Sequence, residues 1–120
     1  MTWLSKAFGF REVTRATAPD GRLTHGDLET GQGRIMVATP SPDYEGPDMH
    51  AKACDKARRW LSVPWVVDGV LVHVDDIEAH RRRAAAAGAR MLSDIEDAPP
   101  GRLYRAADLE GHRWMFLQPR

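Results

Sequence analysis

The chain has 120 residues, 42% of them hydrophobic and 28% charged, with 17 basic and 17 acidic side chains that cancel. That length supports one domain with its own core. The neutral balance argues against a uniformly basic nucleic-acid surface, and a single cysteine, Cys54, excludes an internal disulfide and any CxxC zinc site.

Taken in chain order, residues 1–8 read as a short helix whose apolar face holds Trp3, Leu4, Ala7 and Phe8, with Gly9 as its stop. A helix that short must pack on a sheet to persist. Residues 10–17 and 23–30 read as strands around the Pro19-Asp20-Gly21 turn, and residues 34–38 as a third strand after Gly31-Gln32-Gly33. Residues 39–47 form a polar loop. Over residues 48–61, Met49, Ala53, Ala57, Trp60 and Leu61 recur at helical spacing, which predicts one helix stopped by Pro64. Residues 68–74 read as a strand. Asp75 or Asp76 caps a helix over residues 77–87, closed by Gly88. Strands come next at 89–93, 102–107 and 112–117, separated by the Pro99-Pro100-Gly101 and 108–111 turns.

The second half is therefore β-α-β-β-β and the first half α-β-β-β, a degenerate internal repeat. Phe8-Gly9-Phe10 near the start, Val72-His73-Val74-Asp75-Asp76 with its following helix ending in Ala86-Ala87-Gly88-Ala89, and Asp108-Leu109-Glu110-Gly111-His112-Arg113-Trp114-Met115-Phe116 carry a further signal. Together they resemble the vicinal oxygen chelate superfamily, which includes glyoxalase I, extradiol dioxygenases and bleomycin-resistance proteins. The resemblance implies an α+β fold of two βαβββ-like modules, a curved mixed sheet forming a half-barrel around a cleft. Module one would span residues 1–38, a connecting segment 39–67 and module two 68–120. Module one lacks its first strand: either the start lies upstream of Met1, or the module is built without it.

In metal-dependent members of that superfamily, ligands come from the first and last strands of each module. The corresponding positions of module two are Gly69 and Met115 in this chain. The matching strand of module one offers Ile35, Met36 and Val37, and its first-strand position falls before Met1. Such sites need about three or four N or O ligands. The resemblance therefore implies no family-type metal and no cofactor. If the family register holds, Met115 faces the cleft and Trp114 packs under a helix, while Leu71 and His73 share one face of their strand. The expected ligand-binding set is His73, Leu71, Tyr104 and Met115. His73 could bond a ligand or serve as a base near neutral pH, or be a histidine satisfied within the wall.

Other candidates have blander readings. His112 is expected to bond the backbone of its own turn. Trp60 and Phe116 read as core. Arg34, Arg102 and Arg105 could clamp an anionic group from inside the cleft, although surface solvation suits most of them better. Arg81-Arg82-Arg83 covers most of a helix circumference and reads as a solvated surface. Cys54 has no identifiable base beside it, and Gly31-Gln32-Gly33 lacks the third glycine and helix of a dinucleotide site.

These readings favour a protein that binds a small organic molecule, with no nucleic acid or membrane partner. The first ten residues lack a cleavable apolar run. The apolar stretch at residues 63–67 contains Pro64 and is too short to span a bilayer. A lone thiol suits the cytoplasm. The alternative is an enzyme of the superfamily, a lyase, isomerase or dioxygenase, using a non-standard metal set or His73 as acid and base. A missing first strand leaves an open sheet edge, which predicts a homodimer paired near residues 1–10 or along open strand edges.

Overall fold

The computed structural model describes residues 1–120. Module one comprises α1 (Thr2–Phe8), β1 (Arg11–Thr17), β2 (Leu23–Glu29) and β3 (Arg34–Val37). Its strands form an antiparallel sheet in the order β1-β2-β3. Two short helices come next, α2 (Pro47–Ala53) and α3 (Asp55–Leu61). Module two comprises β4 (Val70–His73), α4 (Ile77–Ala86), β5 (Arg90–Met91), β6 (Glu96–Ala98), β7 (Gly101–Ala107) and β8 (Arg113–Pro119). Its sheet runs β4-β8-β7-β5, with β6 also on β7 and β4 parallel to β8. The strands thus lie in two sheets rather than one closed surface. In the second sheet the module's first strand covers the outer edge of its last. In the first sheet the equivalent edge, that of β3, is unpaired. No helix is long and apolar enough to cross a membrane.

Local chemistry sets the element ends. Gly9 closes α1 in the left-handed conformation, φ 74°, with its N–H on Ser5 O at 3.0 Å. Asp76 caps α4, its carboxylate accepting from Ala79 N–H at 3.0 Å. The single helix expected over residues 48–61 is instead two, divided at Cys54, whose φ of −139° and ψ of 113° are extended. The apolar stripe that predicted it has little core to lie on. Met49 and Trp60 are exposed, and only Ala57 of that set is buried. Each half follows its own anchor. Asp48 takes both guanidinium nitrogens of Arg90 at 3.1 and 2.9 Å, and Arg113 Nη1 donates to the carbonyls of Leu61, at the end of α3, and Val63 just beyond it. Trp60, expected in the core, is therefore at the surface.

The core sits where both modules meet under α1 and α4. Tyr104, Phe116, Leu28 and Ile77 are its largest fully buried side chains. Phe8 brings module one into it, with ring centroids 4.8 Å from Phe116 and 5.4 Å from Trp114. Backbone carbonyls left over at helix ends are bonded across the module boundary. Trp3 Nε1–H donates to Ala87 O at 2.8 Å, and Arg83 donates to Lys6 O and Ser5 O at 2.9 and 3.1 Å. The arginine run is thus not simply solvated: Arg83 ties α1 to α4 and Arg81 reaches Ser93 O and Asp94. His80 completes the tie. Its Nε2 lies 3.0 Å from Phe8 O, and its Nδ1 lies 2.8 Å from the Tyr104 hydroxyl. A carbonyl only accepts, so Nε2 carries the proton and Tyr104 donates to Nδ1. Burial favours this neutral ring, holding the His80 pKa below its ordinary value and raising that of Tyr104.

Candidate functional site

Alternation along β4, β7 and β8 divides their side chains between two faces. Val72, Trp114, Phe116, Tyr104 and Ala106 enter the core beneath the helices. The opposite face carries a cross-strand row, Leu71 beside Met115 and Met115 beside Arg105, fixed by the β4–β8 and β7–β8 registers. The β5 side continues this row, since Leu92 N–H donates to Arg105 O at 2.9 Å. Over it lies a groove of about 400 Å³ walled by Leu61 and Trp65 on one side and Leu92 and Glu96 on the other. Trp65 stands at its rim with 74% of its surface exposed.

Of the expected binding set, Leu71 and Met115 line this groove. His73 shares the face of Leu71 and is exposed, beside Leu117 in the next row, outside the groove lining. Tyr104 does not reach the groove. It is fully buried opposite Phe116, its hydroxyl spent on His80. Its strand runs one residue out of phase with that expectation, which places Arg105 in the groove instead.

Gly69 also lines the groove, so both module-two positions that carry metal ligands in metal-dependent relatives face it here. One offers no side chain and the other a thioether, a soft and weak donor. Met36 is 72% exposed on the other sheet, paired with Asp27 of β2. No three His, Cys, Asp or Glu side chains converge into a metal-holding group. These residues do not fit a hard divalent ion.

Arg113 escaped the sequence reading. It is 5% exposed and lines the groove two residues before Met115 on the same strand face. Its Nη1 is spent on the α3 carbonyls, but Nε and Nη2 have no hydrogen-bond partner, and Asp68 Oδ1 lies 4.0 Å away, also unpartnered. Period-two counting back from Met115 would have found its face, but not the cover that buries it. His112 departs from its expected role. The turn amides of Glu110 and His112 are bonded by Asp108, while the His112 ring meets Asp68 at 2.6 Å and so pins the segment leading into β4.

The sequence profile of the Glyoxalase/Bleomycin resistance protein/Dioxygenase superfamily matches residues 1–116. The chain belongs to this superfamily. Among solved members of similar shape is TioX from Micromonospora sp. ML1, with a TM-score of 0.69 and 33% identity over 99% of this chain and 84% of that one. TnmS3, an antibiotic binding protein from Streptomyces sp. CB03234, has a TM-score of 0.62 and 18% identity, with 98% and 82% covered. The bleomycin-binding protein from Streptomyces verticillus, solved with copper(II)-bleomycin, has a TM-score of 0.58 and 16% identity, with 99% and 84% covered. At these lower identities the likeness is one of superfamily fold. An uncharacterized protein of Mycobacterium bovis is 30% identical over 115 residues, which cover 95% of this chain and 70% of the relative.

Proposed function

We propose that the chain is a small-molecule-binding protein of the bleomycin-resistance-like kind, holding an organic ligand in the groove without a family-type metal and acting by sequestration in the cytoplasm. The groove carries this reading: its floor presents Gly69 and Met115 where the chemistry of metal-dependent relatives needs hard donors, with Leu71 beside Met115. Apolar floor and a few convergent polar groups describe a binding pocket. Sequestration requires affinity and no bond chemistry. That TnmS3 is an antibiotic binding protein and the S. verticillus protein binds bleomycin, both on this fold, supports the same reading. No contact around His73 favours an acid–base role over it. The test is elemental analysis of protein purified without chelators, joined to melting curves across a small-molecule panel. The expected result is no stoichiometric Zn, Ni, Fe or Mn. A true ligand at a hundred times its Kd should add about 2.7 kcal/mol to stability. A metal lost together with stability on chelation would contradict the proposal.

The protein also acts as a homodimer in this proposal. Its accessible surface is 7547 Å², against about 6,500 Å² for a folded monomer of this mass. Its radius of gyration, 15.0 Å, exceeds the roughly 13.6 Å of a compact chain this long. The excess surface, about 1,000 Å², is of the order one partner buries in a standard interface. Ala7, Phe8 and Phe10 are already buried within the chain. The pairing surface is therefore the open strand edges: β3 has a free edge beside the exposed Met36, and all seven residues of β1 are exposed. Light scattering over a dilution series should give twice the chain mass. A stable monomer at micromolar concentration would refute this.

A further inference from the structure

From the charges built into the groove we infer that its ligand is a planar aromatic anion, a ring system bearing a carboxylate or an equivalent acidic group. The inference rests on the groove being the ligand site. Two guanidinium groups line it, Arg105 and Arg113, against a single acidic wall residue, Glu96. They belong to neighbouring strands: Arg105 is paired with Met115, and Arg113 lies two residues away on the strand of Met115. Both cations therefore flank the same apolar floor.

Their roles differ. Arg113 is a fixed positive charge, 5% exposed, held by the Leu61 and Val63 carbonyls and with Nε and Nη2 unpartnered. Its neighbouring carboxylate, Asp68, is 4.0 Å from Nε, an ion pair that offsets part of the charge but leaves the N–H groups without a hydrogen bond. A guanidinium withdrawn from water in this way has a stronger field than one at the surface. Arg105 is the reachable cation. Its side chain is 25% exposed, and its nearest carboxylate, on Glu96, is 3.8 Å away and itself 53% exposed. That contact is weak enough for a ligand anion to displace, because exposed pairs of this kind contribute little. The incoming carboxylate would meet the guanidinium fork of Arg105 as a bidentate partner. The aromatic half of the specificity comes from Trp65, an indole with most of its surface free, which lines the same groove as Leu71, Leu92 and Met115. A flat ring between them buries apolar area that is now exposed to water.

Calorimetric titration of the full chain with three isosteric probes tests this: 2-naphthoate, neutral 2-naphthamide and the 2-naphthylmethylammonium cation. Naphthoate should bind at least tenfold more tightly than either of the others, and its lead should shrink as sodium chloride is raised from 50 to 500 mM. Arg105→Gln, checked for an unchanged melting temperature, should shrink that lead while leaving naphthamide affinity within twofold. Trp65→Ala should weaken naphthoate and naphthamide alike. Equal binding of the three probes, or preference for the ammonium, would overturn the anionic ligand and leave the groove as a binding site. Failure of all three to bind at millimolar concentration would overturn the inference, and with it the groove as a site for planar aromatics. An Arg105→Gln protein that keeps the full preference would overturn the assignment of Arg105.

Discussion

Phe116→Ala should cost about 3–5 kcal/mol, the range for emptying an aromatic site in a packed core. Phe116 is fully buried between α1, α4 and β7. Its ring lies 4.8 Å from Phe8 of α1, 4.2 Å from His80 of α4 and 5.2 Å from Tyr104 of β7. Removing it opens a cavity that none of the three can close alone. Phe8 sits beside the glycine that caps α1, His80 is bonded to Phe8 O and Tyr104, and Tyr104 is fixed by the β7–β8 ladder. Only 22 of 120 residues are buried, so the core has few other places from which to recover the loss. Against a total stability of about 5–15 kcal/mol, the variant should melt roughly 10–20 °C lower. Urea denaturation followed by tryptophan fluorescence gives the number directly. Leu109→Ala, at a side chain 65% exposed on a turn, is the matched control and should change stability by under about 0.5 kcal/mol. A loss under about 1 kcal/mol at Phe116 would mean that its ring is not packed among Phe8, His80 and Tyr104 as described.

The modules themselves were legible because each is punctuated by residues with one dominant use. Gly9 ends α1 and Gly88 follows the end of α4, as the sequence predicts, and of the two aspartates it offers as cap for α4 the structure uses Asp76. The Pro99-Pro100 turn also stands, but β6 before it was not foreseen. Motif resemblance then carried the order of strands. Legibility failed where burial had to be known first. The stripe from Met49 to Leu61 has helical spacing, yet the chain breaks at Cys54, because helices of seven residues answer to anchors such as Asp48 and Arg113 rather than to periodicity. The candidate site shows the same division. Leu71 and Met115 follow from alternation on their own strands. Tyr104 and Arg105 are adjacent, and only the pairing of Tyr104 with Phe116 decides which of them enters the core. Arg113 was least accessible of all. A buried guanidinium is rare unless something binds it. Its partners, the carbonyls of Leu61 at the end of α3 and of Val63 beyond it, lie in the connecting segment whose path no motif specified.

Gly101→Ala should be the most damaging single methyl addition in the chain. Gly101 opens β7 with φ at 150°, and a Cβ built there falls 2.1 Å from Gln118 O and 3.0 Å from Pro119 Cα on β8. Both obstacles are backbone, so no side-chain rotation relieves them. Gln118 cannot retreat freely either: its side-chain oxygen accepts from Ile77 N–H at 2.9 Å, at the first residue of α4. The chain must then strain Gly101, part the Gly101–Pro119 end of the β7–β8 ladder, or release α4 from Gln118. Backbone strain and overpacking each cost about 1–3 kcal/mol, which puts the expected loss at about 2–6 kcal/mol. Gly88→Ala isolates the conformational part. Gly88 has φ of 95° with nothing within 4 Å of its built Cβ, so it should lose only about 1–2 kcal/mol. The difference between the two variants in denaturant midpoint reports chiefly the added steric contact. The consequence reaches the groove, because β7 carries Arg105 and its register against β8 sets Arg105 beside Met115. A folded Gly101→Ala protein should therefore lose affinity for groove ligands in proportion to any slippage of β7. Equal stability of the two variants would show instead that this end of the ladder opens at little cost.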